Sequence, residues 1–192
     1  MKLIRKLREL NNKEYELDKW TKIMIILLIF SFGGIFGFIY ETFFYRIDLG
    51  YFVKRGTTFG PWIPIYGFGG VFITILTYKF RKKPIVVFLL SCIISGILEF
   101  TVGYLLFNLK GIRLWDYNEE IWNFGNIGGY ICFRSIMFFG LSGLFLIYFV
   151  IPIFKNWASR CKKSIFSLIA LIPGILFAAD IIISNLVIYF KP

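Results

Sequence analysis

Residues 22–45 read KIMIILLIFSFGGIFGFIYETFFY. No side chain from Ile23 to Tyr40 is charged. A bilayer core requires roughly 20 such residues in a helix, so this run predicts a membrane span. Four further apolar runs follow, at Pro61–Tyr78, Pro84–Phe107, Ile127–Ile151 and Ser164–Phe190. The chain of 192 residues is 58% hydrophobic, with a mean hydropathy of +0.73. Soluble domains lie nearer 45–50% apolar. The sequence therefore predicts an all-α membrane protein of about five transmembrane helices. Residues 22–192 form one membrane domain, with no polar stretch long enough for a soluble one.

Residues 1–21 form a basic N-terminal segment. Leu3, Ile4, Leu7 and Leu10 share one helical face, away from Arg5, Lys6 and Arg8. This fits either a helix lying on the cytoplasmic membrane surface or a solvated tail. The segment is too long for the n-region of a signal peptide, and no small-x-small site closes the first apolar run. That run is expected to be a retained helix.

The net charge of +11 does not indicate nucleic acid, because Lys and Arg lie in short stretches between the spans. With five spans, fifteen Lys and Arg fall on the side of the N-terminus and six on the other, with Arg134 inside a span. The positive-inside rule then places the N-terminus inside and the C-terminus outside. Three cysteines and no histidine make neither a disulfide framework nor a zinc site. The missing histidine removes the commonest general base and any Ser-His-Asp triad. No catalytic residue, metal or cofactor is expected.

Glu41, Glu99, Arg134 and Asp180 lie within or at the edge of the apolar runs. An ionised group at a helix centre costs about 2.5–3.5 kcal/mol on insertion scales, so such groups face the bundle interior and pair. The three acids sit past the midpoints of outward-running helices, and Arg134 lies early in an inward-running one. All four fall in the outer half of the bilayer, where they can form one polar cluster together with Arg55. Two readings stay open: charges that only fix helix packing, and a polar pocket open to the outer face. Pro173-Gly174 predicts a kink before Asp180. Gly33 and Gly37 have the spacing that lets helices approach closely.

The outer connections are rich in glycine and aromatics. Arg55-Gly56-Thr57-Thr58-Phe59-Gly60-Pro61-Trp62-Ile63-Pro64-Ile65-Tyr66-Gly67 suggests a defined non-helical path. It reads either as a re-entrant segment or as an interfacial loop anchored by Trp62 and Tyr66, with the interfacial loop slightly favoured. The second connection carries Trp115-Asp116-Tyr117-Asn118 and then Asn126-Ile127-Gly128-Gly129-Tyr130-Ile131-Cys132.

Four features taken together resemble the putative ABC-transporter type IV family of membrane proteins. They are Gly37-x-x-x-Glu41, the Arg55–Gly67 motif, Gly96-x-x-Glu99, and Trp115-Asp116-Tyr117 leading to Asn126-x-x-Gly129-x-Ile131-Cys132. The resemblance covers roughly residues 33–145. The chain departs from the pattern at Asn118, where a serine is expected, and at Tyr130, where a basic residue is expected.

The resemblance implies a bacterial, multi-pass plasma-membrane transport component, permease-like. The chain lacks G-x-x-x-x-G-K-[ST], so ATP hydrolysis would need a separate ATPase subunit. The lipid bilayer is the other expected partner, and an oligomer is compatible with the sequence. Two alternatives remain. One is a membrane enzyme acting on lipid or envelope precursors, with Glu41 and Glu99 as acid and base and Arg55 or Arg134 holding a phosphate. The other is a non-catalytic scaffold.

Overall fold

The computed structural model describes residues 9–189. The expected surface helix built on Leu3, Ile4 and Leu7 lies largely outside the described residues. Five helices follow one another: α1 (Lys19–Leu49), α2 (Pro64–Thr77), α3 (Pro84–Lys110), α4 (Phe133–Arg160) and α5 (Lys163–Tyr189).

Local chemistry sets their ends. The Asp18 carboxylate accepts from Thr21 N at 3.2 Å and caps α1, which stops at left-handed Gly50. Pro64 and Pro84 open α2 and α3, where a missing N–H costs nothing. The fourth run begins its helix at Phe133 rather than at Ile127. Gly128 and Gly129 adopt φ of 61° and 80°, which no helix continues. Cys132 and Ser135 then form a reciprocal cap. The same helix runs past Ile151 to Arg160. A π-turn over Leu146–Val150 lies immediately before Pro152, whose ring cannot donate and crowds the preceding turn.

Four of these helices (α1, α3, α4 and α5) are long and apolar enough to cross a membrane. The second expected span, Pro61–Tyr78, is the exception. α2 has 14 residues, roughly 21 Å of helix against a hydrocarbon core of about 30 Å. Its start is buried, because Ile63 N donates to Gly34 O at 3.0 Å, midway along α1. Residues 50–63 therefore descend from the end of α1 to its middle before α2 begins. The stretch is thus more than the favoured interfacial loop, and it does not turn back as a re-entrant segment would, because α2 carries the chain on to the end where Tyr148 meets Arg81. Trp62 and Tyr66 sit inside the bundle rather than at an interface. Trp62 stacks on Phe177 of α5 at 5.0 Å, and Tyr66 on Phe139 of α4 at 5.1 Å.

Glycine makes that descent fit. A Cβ on Gly33 would stand 2.7 Å from Tyr66 O, and one on Gly67 would stand 2.8 Å from Phe30 O. The two backbones touch there, as close-packed membrane helices require. Gly37 accommodates the Tyr66 ring, and Gly174 accommodates Leu27 where α5 runs on through Pro173.

The bundle has two unlike ends. Asp18 pairs with Lys163, Trp20 Nε1 donates to Ser167 Oγ at 2.9 Å, and Tyr148 donates to Arg81 O at 2.7 Å. These contacts gather the basic connections at one end. The apolar core, including Ile29, Ile73, Val87, Ile147 and Phe166, lies in that half. The two glycine- and aromatic-rich connections meet at the other end. Large apolar side chains such as Ile85, Leu109 and Leu141 are exposed on the flanks, as a lipid-facing surface requires.

Replacing Gly67 by valine forces α1 and α2 apart. It should cost about 1–3 kcal/mol, the range for overpacking, read as a lower thermal midpoint of the purified protein in detergent. Gly96→Ala, whose added carbon would meet Ile136 at 3.7 Å, should leave that midpoint nearly unchanged.

Candidate functional site

The descending segment is held by one carboxylate. Asp180 of α5 accepts from Phe59 N at 2.9 Å, Gly60 N at 2.7 Å and Trp62 Nε1 at 2.7 Å. Thr58 Oγ1 closes the turn on Trp62 O at 2.6 Å. Gly56 supplies a φ of 78°, and Pro61 is exposed at the bend. Asp180 is thus spent on the loop backbone and does not join the polar cluster predicted for it.

Of the other four predicted charges, Glu41, Glu99 and Arg134 converge on one cavity, and Arg55 pairs with Glu41 from outside it. Glu41 accepts from Arg55 Nε at 2.8 Å, and the Arg55 guanidinium lies 3.6 Å from the Tyr45 ring centre. Arg134, in the first turn of α4, pairs with Glu120 and donates to Tyr40 Oη at 3.2 Å. Tyr45 donates to Glu120 as well. The Arg134 guanidinium lies 3.9 Å from the Phe44 ring centre. Glu99, buried on α3, accepts from Tyr117 Oη at 2.6 Å.

Sequence reading missed Glu120, Tyr40 and Tyr45. Glu120 lies outside every apolar run, so no insertion cost marks it. Tyr45 does share the α1 face of Glu41 at i,i+4 spacing, which is the signal that could have found it, whereas Tyr40, adjacent to Glu41 in the chain, carries no such signal.

These groups surround a cavity of about 20 Å³, lined among others by Tyr40, Glu41, Glu99, Tyr117, Glu120 and Arg134. A water needs roughly 10–15 Å³ by this measure. Glu99 Oε2 and Arg134 Nε are buried with no hydrogen-bond partner among the described residues. The cavity is therefore polar, of single-water size, and has unspent bonding capacity.

The connection 111–132 forms its cover. Tyr117 N donates to Gly129 O at 3.1 Å, and Gly129 N to Asn126 Oδ1 at 2.8 Å. Asn118 Nδ2 donates to Asp116 Oδ1 and Asn126 Nδ2 to Asn118 Oδ1, both at 2.7 Å. Trp115 Nε1 donates to Tyr130 O at 2.9 Å. A Cβ on Gly129 would collide with Arg113, Asp116 and Asn118. The residues of this motif mostly bind one another, and the fold they produce sends Tyr117 into the cavity. Burial, then the Glu99 carboxylate, holds the Tyr117 phenol well above its usual range, so it acts as a donor. Asn118 belongs to this network, and the Tyr130 ring lies 5.1 Å from the Arg113 guanidinium. Both departures from the family pattern are thus built into the cover.

The polar cluster, the glycine-lined descent and the covering loop occur together along one continuous stretch of chain. The family described as Putative ABC-transporter type IV matches residues 28–185. The chain belongs to this family. No curated protein and no solved structure matches. For a chain of the type IV family the matched segment is informative, because it runs from α1 through Asp180. It takes in the loop latch as well as the three converging charges. Membership of the family and four membrane-length helices make this a membrane protein consistent with a transport component.

Two outcomes follow for this type IV chain. Asp180→Ala leaves three donors of the descending loop, two of them part-buried, without their acceptor, so the 56–62 turn should loosen. Trp62 fluorescence, isolated against Trp→Phe backgrounds, should shift to longer wavelength. Arg134→Met and Glu120→Gln should each destabilise, and a double-mutant cycle should return a coupling of about 0.5–3 kcal/mol. Independent, additive losses would show that the pair does not interact.

Proposed function

We propose that this chain is the permease-like membrane subunit of a transport system, with its solute site at the loop end of the bundle. The carrying observation is the polar cavity around Glu99, built from paired charges inside an apolar bundle. Ionisable groups within membrane spans mark solute or ion pathways, because their insertion cost is otherwise unopposed. The half-helix α2 supports the reading. Non-helical backbone at membrane depth survives where protein buries it or where it lines a wet cavity. Broken helices meeting near the midplane are a recurrent way to build transporter sites.

In this reading the basic end faces the cytoplasm and the loop end faces outward at the plasma membrane. The chain has no phosphate-binding loop, so a separate ATPase subunit supplies energy from the basic side. The chain itself moves a solute and catalyses no covalent step.

Transport should depend on Glu99. Uptake and efflux of a solute panel would be compared in wild-type, deletion and Glu99→Gln cells at equal expression. The expected result is one solute whose flux is lost in the deletion strain and falls at least tenfold in Glu99→Gln. Unchanged flux of every solute in both strains would sink the proposal.

A further inference from the structure

The short α2 has a second consequence. Beside its start, between α3 and the two connections of the loop end, a groove of about 560 Å³ opens. That volume lies within the range of small-molecule sites, about 300–1,000 Å³. It is far larger than the cavity around Glu99.

The groove is polarised along its length. Lys54, Arg55 and Arg113 line its loop end, with Glu41 the one carboxylate among the lining residues. Arg55 is held in place by Glu41 and by the Tyr45 ring, so its planar guanidinium is preset. Arg113 is braced by Asp116 at 3.2 Å, and Lys54 is exposed beside Phe59. Below the cations the walls are apolar: Val102 and Leu98 on α3, and Phe68 and Phe72 on α2. Phe68 and Phe72 are 47% and 43% exposed, so the groove opens sideways toward lipid. Leu98 lies near the middle of α3. From there to the helix end is roughly 18 Å at 1.5 Å per residue. Half of a hydrocarbon core is about 15 Å. Phe72 lies roughly 13 Å beyond Ile63 along α2, so the groove runs from headgroup level past the middle of the bundle, with net positive charge at its loop end and apolar walls below.

The geometry points to an anionic phospholipid as the occupant of this groove, drawn from the leaflet at the loop end. Its phosphate meets Lys54, Arg55 and Arg113, and an acyl chain lies against Val102, Leu98, Phe68 and Phe72. Free phosphate would use the cations alone and leave the apolar walls without a partner. A zwitterionic lipid would bring its own cation against three others. The inference stands on the groove and does not require the transport reading.

The test is native mass spectrometry of the full-length protein released from detergent, with three probes. These are phosphatidylglycerol, phosphatidylcholine with the same chains, and inorganic phosphate. Phosphatidylglycerol should be retained at least fivefold more than phosphatidylcholine. Lys54→Gln with Arg113→Gln, both at exposed positions, should cut that retention at least fivefold. Val102→Trp fills the groove with the cations intact and should cut it similarly. Should Val102→Trp not fold, Phe72→Trp at a half-exposed position carries the same expectation.

Equal retention of the two lipids would overturn the inference. So would displacement of phosphatidylglycerol by equimolar phosphate. Full retention by the groove-filling variant would reduce the site to a basic surface patch. A dimer that the groove-filling variant converts to monomer would make a second copy the occupant. Lipid retention lost with flux intact, or flux lost with retention intact, separates this inference from the transport reading.

Discussion

Backbone N–H and C=O groups at membrane depth must find partners inside the protein, since lipid supplies none. Residues 50–63 bring non-helical backbone to the middle of α1, so this constraint falls on them hardest. The structure meets it with few groups. Gly34 O takes Ile63 N, Thr58 takes Trp62 O, and Asp180 takes two backbone donors and an indole. Several other features follow. α1 and α2 must touch, so Gly33 and Gly67 stand at the contact. α2 must be short, so a groove remains beside its start. Asp180 is engaged by the loop and cannot serve the polar cavity.

The ionised groups are arranged under the same kind of pressure. A charge removed from water is tolerated when a partner and further hydrogen bonds replace its hydration. Arg55 has Glu41 and the face of Tyr45. Arg134 has Glu120, Tyr40 and the face of Phe44. Glu99 differs, because one oxygen accepts from Tyr117 while the other keeps its capacity. Arg134 likewise keeps its Nε without a partner among the described residues, so the unspent capacity of the cluster lies on these two groups. The loop 111–132 acts as more than a connection, since it delivers Tyr117 and Glu120 to charges borne on helices.

Division of the bundle into two halves gives these sites their setting. The half toward the basic connections is packed with aliphatic and aromatic side chains. The paired charges, the non-helical descent and the mouth of the groove share the other half. Glu41 belongs to both concave sites, facing the small cavity and lining the groove. Arg55 reaches it from the groove side, so one ion pair forms the wall between a polar chamber and a lipid-facing one.

Much of this was legible in the sequence. Uninterrupted apolar runs announced the helices at 22–45, 84–107 and 164–190, because span length and insertion cost are local properties. The positions of Glu41 and Glu99 within two of those runs, and of Arg134 within the run at 127–151, placed them at one depth, since rise per residue is constant in a helix. Their partners were not legible. Glu120 sits in a polar loop, where a carboxylate carries no mark of what it will meet. Asp180 resembled the other buried acids, yet it binds backbone more than a hundred residues away. The run at 61–78 looked like a span by hydropathy alone. Its shortening to a half-helix depends on where Ile63 finds an acceptor. The sequence by itself determined which segments are apolar and which charges need compensation. Only the tertiary structure decided what compensates them, because a hydrogen bond depends on three-dimensional position, and local pattern carries no record of distant acceptors.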